Sequence, residues 1–189
     1  MMDALVQRLT LENFLSRPDL EESPAWEYAG DQALRKPMPK FRHSLLQKIL
    51  LGTVDCLPSR YLVLPELRCT FGGRSLVPDI AVIAWEKIRF NDLGEPEDNF
   101  RQAPDWSLEI LSPDQGAGRV IDNLLFCLQH GTQLGWLVDP QDYAVLVLAP
   151  PQEIRVFRGA QRLPVLPDMA LELTPEGIFQ GLRLGANPE

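Results

Sequence analysis

Two carboxylates stand in strand-like surroundings where an ionised oxygen is costly. Asp79 lies in Val77-Pro78-Asp79-Ile80-Ala81-Val82, a strong strand pattern that follows a proline. Proline is tolerated at the first residue of a strand, which puts Asp79 near the strand's end. Glu109 lies in Ser107-Leu108-Glu109-Ile110-Leu111, inside a short strand with apolar neighbours. A carboxylate buried there needs a cation, a hydrogen-bond donor or a raised pKa. Two such groups on adjacent strands can hold one or two hard divalent cations, which activate water and neutralise a phosphate under attack. The structural alternative is a capping or turn role for Asp79 and an arginine partner from a neighbouring strand for Glu109.

The flanking elements must bring these strands together. A helix is predicted from about Lys40 to Cys56, with Leu46, Ile49, Leu50, Val54 and Leu57 at helical spacing and Pro58 as its stop. Tyr61 to Phe71 and Leu76 to Trp85 read as two long strands of one hairpin turning at Gly72-Gly73. Glu86 to Ala103 is a loop, and Trp106 to Leu111 is a strand buried on both faces. Val120, Leu124, Leu125 and Leu128 mark a helix closed by Gly131, and Leu134 to Val138 a further buried strand. A helix crossing between two buried strands implies a right-handed parallel βαβ unit joined to an antiparallel hairpin. The class is therefore α/β, a mixed β-sheet flanked by helices with an αβββαβ order. Outside this core lie a short helix capped by Thr10 and an N-terminal hairpin, Trp26 to Ala29 and Gln32 to Lys36, around a Gly-first turn at Gly30-Asp31. A C-terminal β-hairpin, Tyr143 to Ala149 and Ile154 to Arg158, and a last helix opened by Thr174-Pro175 complete the chain.

Composition narrows the function classes. The chain has 189 residues, 45% of them hydrophobic and 23% charged, as expected for one globular domain that buries a core without staples. No apolar run approaches the roughly 18 residues a membrane helix needs, and the N-terminus has no signal-peptide layout, so a cytoplasmic location is expected. Cys56, Cys69 and Cys127 are odd in number and in no paired motif, which argues for buried thiols over disulfides or zinc. The net charge of −8 argues against a general polyanion binder. Contact with nucleic acid then requires a local patch, for which Arg35, Lys36, Lys40 and Arg42 form the densest cluster; a solvated loop is the alternative. Arg155, Arg158 and Arg162 form a second, sparser group. Gly72-Gly73 and Gly116-Ala117-Gly118 lack the remaining residues of a phosphate loop, and Ser112 has no base beside it in sequence and no nucleophile-elbow pattern.

Five segments in order carry a family resemblance. They are Lys36-Pro37-Met38-Pro39 with His43-Ser44, Pro65-Glu66-Leu67-Arg68, Val77 to Val82, Leu108 to Pro113, and Gly135 to Pro140. With them the chain resembles the PD-(D/E)xK nuclease core and, more closely, the bacterial Uma-two family of restriction-endonuclease-like proteins. The resemblance implies a single nuclease-like domain over residues 1–189 with its core at about 40–140. It implies hydrolysis of DNA phosphodiester bonds with Mg²⁺ or Mn²⁺, with Asp79 and Glu109 as metal ligands. It also gives Glu27, in Trp26-Glu27-Tyr28, a role in holding water or metal, against the alternative of a solvated hairpin-edge charge. Enzymes that cut both strands of a duplex often pair about a two-fold axis, so a homodimer fits this class.

One position departs from the superfamily motif, which carries a lysine two residues after the glutamate, on the same strand face. That residue here is Leu111, and the following helix offers Asp122-Asn123 where some relatives carry the lysine instead. Lys36, Lys40 and Arg119 remain as substitutes, with Lys36 preferred because it follows the hairpin that bears Glu27. His43 shares a helix face with Gln47 and Leu50 and serves either as a phosphate contact or acid, or in ordinary structural hydrogen bonding. His130 is explained by its place at a helix C-terminus. Two functions follow: an active Mg²⁺-dependent endonuclease, or a nuclease fold used for binding or assembly with hydrolysis weak or lost.

Overall fold

The computed structural model describes residues 9–55, 60–113 and 115–185. Ten strands and four α-helices alternate along it. They are α1 (Leu11–Leu15), β1 (Trp26–Ala29), β2 (Gln32–Arg35), α2 (Phe41–Val54), β3 (Tyr61–Pro65), β4 (Cys69–Phe71) and β5 (Arg74–Leu76). There follow β6 (Ile80–Ala84), β7 (Trp106–Ile110), α3 (Ala117–Gln129), β8 (Leu134–Asp139), β9 (Ala144–Ala149), β10 (Glu153–Arg158) and α4 (Pro175–Gln180). The main sheet has six strands in the order β10-β9-β8-β7-β6-β3, and a second sheet has four in the order β2-β1-β5-β4. Among the described strands only β7 and β8 run parallel, in the register Trp106↔Leu134 to Ile110↔Val138, with α3 as their crossover. This is the expected mixed sheet flanked by helices.

Alternation along β7 sorts its side chains between two layers. Trp106, Leu108 and Ile110 enter the larger core with Leu46, Leu50 and Val54 of α2 and Ile178 and Phe179 of α4. On the other face α3 packs Val120, Leu124 and Leu128 against Leu137 and Leu148, with Leu111 alongside. β7 is buried along its whole length because both faces are covered. Ser107 and Glu109 therefore point into the layer beneath α3, where a charge must find a partner.

The expected pair of long strands is instead two short pairs in different sheets. Tyr61 to Pro65 pairs with Ile80 to Ala84 in the main sheet, whereas Cys69 to Phe71 pairs with Arg74 to Leu76 in the small one. Pro65 and Pro78 lack the N–H a ladder needs, and Glu66 sits in the left-handed region at φ 50°. The ladder therefore breaks on both strands at one level, and its tip folds over to accept β1 through Tyr28↔Ser75. Asp79 lies at that break. The turn between β1 and β2 also differs from the Gly-first form: Gly30 and Asp31 have φ 59° and 61°, the type I′ geometry that suits the twist of a hairpin.

Other expectations hold. Thr10 Oγ1 accepts from Asn13 N–H at 3.2 Å and Thr174 Oγ1 from Gly177 N–H at 3.1 Å, each capping its helix. Cys69 and Cys127 are buried free thiols, while Cys56, Leu57 and Pro58 lie outside the described residues. Gly72, at φ +56°, lies under the His130 ring, and a Cβ there would come 2.2 Å from Nε2. His130 closes α3, its Nδ1 2.9 Å from the Phe126 carbonyl. Among the described residues no helix is long and apolar enough to cross a membrane.

Candidate active site

The antiparallel register of β6 and β7 ends at Ile80↔Leu108. One residue further along, Asp79 stands against Glu109, and side chains opposite one another share a face. Both are buried, at 3% and 5% exposure. Asp79 Oδ2 accepts the Ile110 N–H at 2.7 Å, and the Asp79 carbonyl accepts from Gln47 Nε2 at 2.9 Å. The carboxylate orientation is thus set by the neighbouring strand and the backbone by α2.

Lys36 lies between the two acids. Its N–H donates to the Ala25 carbonyl at 2.9 Å, extending the small-sheet hairpin by one step before Pro37 ends it. From there the side chain crosses to the main sheet. Nζ donates to Asp79 Oδ1 at 2.8 Å, Glu109 Oε2 at 3.0 Å and the Val77 carbonyl at 2.8 Å. Burial works against this ammonium, but Asp79, Glu109 and Glu27 outweigh it and raise its pKa above the usual lysine range. Burial also pushes Asp79 upward, yet Lys36 and His43 hold its carboxyl well below the usual range. Glu109 goes the other way: burial pushes it up to about 8, Lys36 opposes, and Asp79 and Glu27 add to the rise. One ammonium satisfies one carboxylate, and the second retains a proton near neutral pH or takes a further cation.

Glu27 is 3% exposed, which rules out a solvated hairpin edge. Its Oε1 accepts Val77 N–H at 3.0 Å, and Oε2 accepts from Arg119 Nη2 at 3.1 Å and Asn123 Nδ2 at 3.3 Å. Glu27 thereby ties β1, the break before β6 and α3 together. The helix position where a lysine was sought in Asp122-Asn123 thus holds an amide that supports Glu27. Arg119 is occupied in the same way.

His43, in the first turn of α2 and 8% exposed, places Nε2 3.5 Å from Asp79 Oδ2 and Nδ1 3.2 Å from Ser112 Oγ. Ser112 therefore does have an imidazole beside it, 69 residues away in sequence. No local motif signals such a pair. Of the basic cluster, Arg35 donates to the Ser23 and Pro24 carbonyls, Arg42 donates to the Pro140 carbonyl, and Lys36 turns inward. Structure thus brings Lys36, Asp79, Glu109 and His43 together, with Glu27 one bond removed through Val77.

Two carboxylate oxygens with a carbonyl beside them suit a hard divalent cation, and the bridging ammonium shows that positive charge is accommodated between them. Among the described residues no group of three or more His, Cys, Asp and Glu side chains forms a ready metal cage. Mg²⁺ does not require one, since it commonly takes one or two carboxylates and fills its remaining positions with water and substrate phosphate.

Comparison with known proteins gives the geometry a context. A crystal structure at 1.96 Å of a protein from Anabaena variabilis ATCC 29413, described as a "putative nuclease belonging to DUF820", is 42% identical to this chain. It superposes with a TM-score of 0.88, over 92% of this chain and 99% of that one. No curated protein matches. A family model, Uma2, described as "Putative restriction endonuclease", matches residues 11–176. That span holds both sheets and every residue of the site, and the chain belongs to the Uma2 family.

Proposed function

We propose that this chain is a nuclease that hydrolyses DNA phosphodiester bonds with Mg²⁺ or Mn²⁺ held by Asp79 and Glu109. The observation that carries this reading is one ammonium set between two buried carboxylates, so that the second of them, Glu109, either keeps a proton or takes a further cation. Membership of a family described as "Putative restriction endonuclease" supports it, as does the likeness to the Anabaena protein described as a "putative nuclease". The bound cation would lower the pKa of an attacking water and neutralise the phosphate.

The chain's own residues do the rest. Ile110 N–H holds Asp79 in its rotamer, so the ligand is oriented before any cation arrives. Lys36 brings the positive charge that Leu111 cannot, approaching from the small sheet instead of from β7. There it can hold the attacking water or a phosphoryl oxygen. His43 is a positioning residue acting on Asp79, and Glu27 is a second, acting on the Val77 backbone that Lys36 also grips. Incubation of supercoiled and linear DNA with either metal tests the reading. Wild type should cut, and Asp79→Ala and Glu109→Ala should not. Lys36→Ala should lose hydrolysis while still binding Mn²⁺, and unchanged cleavage would remove Lys36 from the mechanism.

A second reading has one observation in its favour. All three N–H bonds of the Lys36 ammonium end on protein oxygens, and the chain carries a net charge of −8. A nuclease fold retained for binding, with its ion cluster serving only stability, would look the same at rest. Absence of cleavage in both metals on every DNA form would select it.

A further inference from the structure

An ammonium has three donors and no acceptor. Those of Lys36 are all engaged, at 2.8 Å with the Val77 carbonyl, 2.8 Å with Asp79 Oδ1 and 3.0 Å with Glu109 Oε2. The side chain is only 12% exposed. In this state Lys36 has no N–H left for water or phosphate, although the proposed reaction needs one. Two of its three acceptors are the oxygens that a divalent cation would take. The third is a backbone carbonyl, fixed from the other side because Val77 N–H is held by Glu27 at 3.0 Å.

From this geometry, and resting on the metal-dependent reading above, we propose that Lys36 is a cation-released group. It occupies the cation's place between Asp79 and Glu109 at rest, and it gives up both oxygens when Mg²⁺ or Mn²⁺ binds. It stays tethered to the Val77 carbonyl and turns its two freed N–H bonds toward the reacting phosphate. Room exists for this move. A cavity of about 30 Å³, lined by Lys36, His43, Asp79, Ser112 and Gln115 among others, adjoins the ammonium and is large enough for a water or two. The arrangement keeps two buried acids compensated when no cation is present, at the expense of cation affinity, because the incoming charge must displace a charge of its own sign.

The opposing effects give a test that does not depend on turnover. Mn²⁺ binding is followed by the loss of the free-ion electron paramagnetic resonance signal, in wild type, Lys36→Met and the Asp79→Asn/Glu109→Gln double variant. Lys36→Met keeps an unbranched stem of nearly the same reach and removes the charge. It should bind Mn²⁺ at least about tenfold more tightly than wild type, while the double variant should not bind. Lys36→Met also leaves two buried acids uncompensated and can fail to fold. The second measurement therefore uses unaltered protein labelled with ¹⁵N-lysine, with the Lys36 Nζ resonance assigned by its loss in Lys36→Arg. Saturating Mg²⁺ should shift that resonance and speed its proton exchange with water. Mn²⁺ binding that requires the two acids, with an unmoved Lys36 resonance and no gain in Lys36→Met, would overturn the release and leave the metal site standing. No Mn²⁺ binding by wild type or Lys36→Met at millimolar concentration would overturn both.

Discussion

Strands β6 and β7 use one device at both ends, and only one end has been given an extra acid. Each strand is preceded by an aspartate that accepts the N–H of the other strand's last residue. Asp79, before β6, accepts Ile110 N–H at 2.7 Å; Asp105, before β7, accepts Ala84 N–H at 2.8 Å. Each aspartate also holds a lysine, Lys36 at 2.8 Å and Lys87 at 3.0 Å. At the Asp105 end the remaining partner is an amide, Gln133 Nε2 at 3.0 Å, and Lys87 donates further to the Ala103 carbonyl at 3.0 Å. That end is a neutral, closed ion pair. At the Asp79 end Glu109 stands where an amide would have sufficed, and the site holds one acid more than its lysine can compensate. Capping an antiparallel pair explains an Asp–Lys pair at either end. It does not explain Glu109, and that surplus separates the proposed chemical end of the sheet from the structural one.

The contrast is broken most directly by substituting the two aspartates in parallel. Asp79→Ala should lower DNA cleavage on the order of 1000-fold or more, because it removes a proposed ligand at the reacting centre. Asp105→Ala should leave turnover per folded molecule unchanged but cost about 1–3 kcal/mol of stability in urea denaturation, since it leaves the buried Ala84 N–H without its acceptor while the partly exposed Lys87 can turn to water. Equal losses of cleavage in both variants, once corrected for folded fraction, would mean that the two ends do not differ in function.

The surplus acid also has a pH signature in metal-free protein. Glu109 is pushed up to about 8, above its ordinary carboxylate value, so the native state holds a proton that the unfolded chain releases. A raised folded pKa gives stability that is present below the unfolded value and is lost as pH rises through the folded one. Between about pH 5 and pH 8.5, in chelator, wild type should lose on the order of a few kcal/mol relative to Glu109→Gln, which stays neutral throughout. Asp79 is depressed, so its contribution is lost only in acid and does not enter this window. Parallel stability curves for the two proteins would show that the native state does not hold Glu109 protonated.

Much of this asymmetry was legible in the sequence, and its limits are physical. Asp79 and Glu109 stood out because a carboxylate among Ile, Val and Leu demands a partner, and the order of elements put them on adjacent strands. With Leu111 at the usual position, Lys36 could be ranked first only because it follows the hairpin that bears Glu27. Its contacts run through a second sheet that exists because the Tyr61-to-Trp85 hairpin breaks at Pro65 and Pro78. Alternation alone predicted that hairpin as continuous, since an apolar pattern does not record where a missing N–H and a left-handed Glu66 end a ladder. Glu27 was marked by its surroundings in the resemblance, but its partners Arg119 and Asn123 lie on a helix more than ninety residues away. The Asp105 cap was invisible for the same reason: an aspartate before a strand is ordinary until its acceptor geometry is known.

The smallest effect belongs to Ser112, which decides whether the site's second layer acts as a unit. Its Oγ lies 3.2 Å from His43 Nδ1, and the ring's other nitrogen lies 3.5 Å from the Asp79 oxygen that Ile110 already holds. The hydroxyl can donate or accept, so it selects which ring nitrogen carries the proton. Ser112→Ala leaves a buried imidazole nitrogen without its partner and should cost about 1–3 kcal/mol. If His43 positions Asp79 by way of that bond, cleavage should fall in Ser112→Ala less than tenfold. His43→Ala should then be as impaired alone as in combination with Ser112→Ala, because the hydroxyl has nothing left to orient. Additive losses in the double variant would mean that Ser112 serves only the packing beside β7. The contrast between the two ends would then reduce to Glu109 and Lys36, since among the described residues the partners of Asp105 are an amide, a lysine and a backbone N–H with no imidazole.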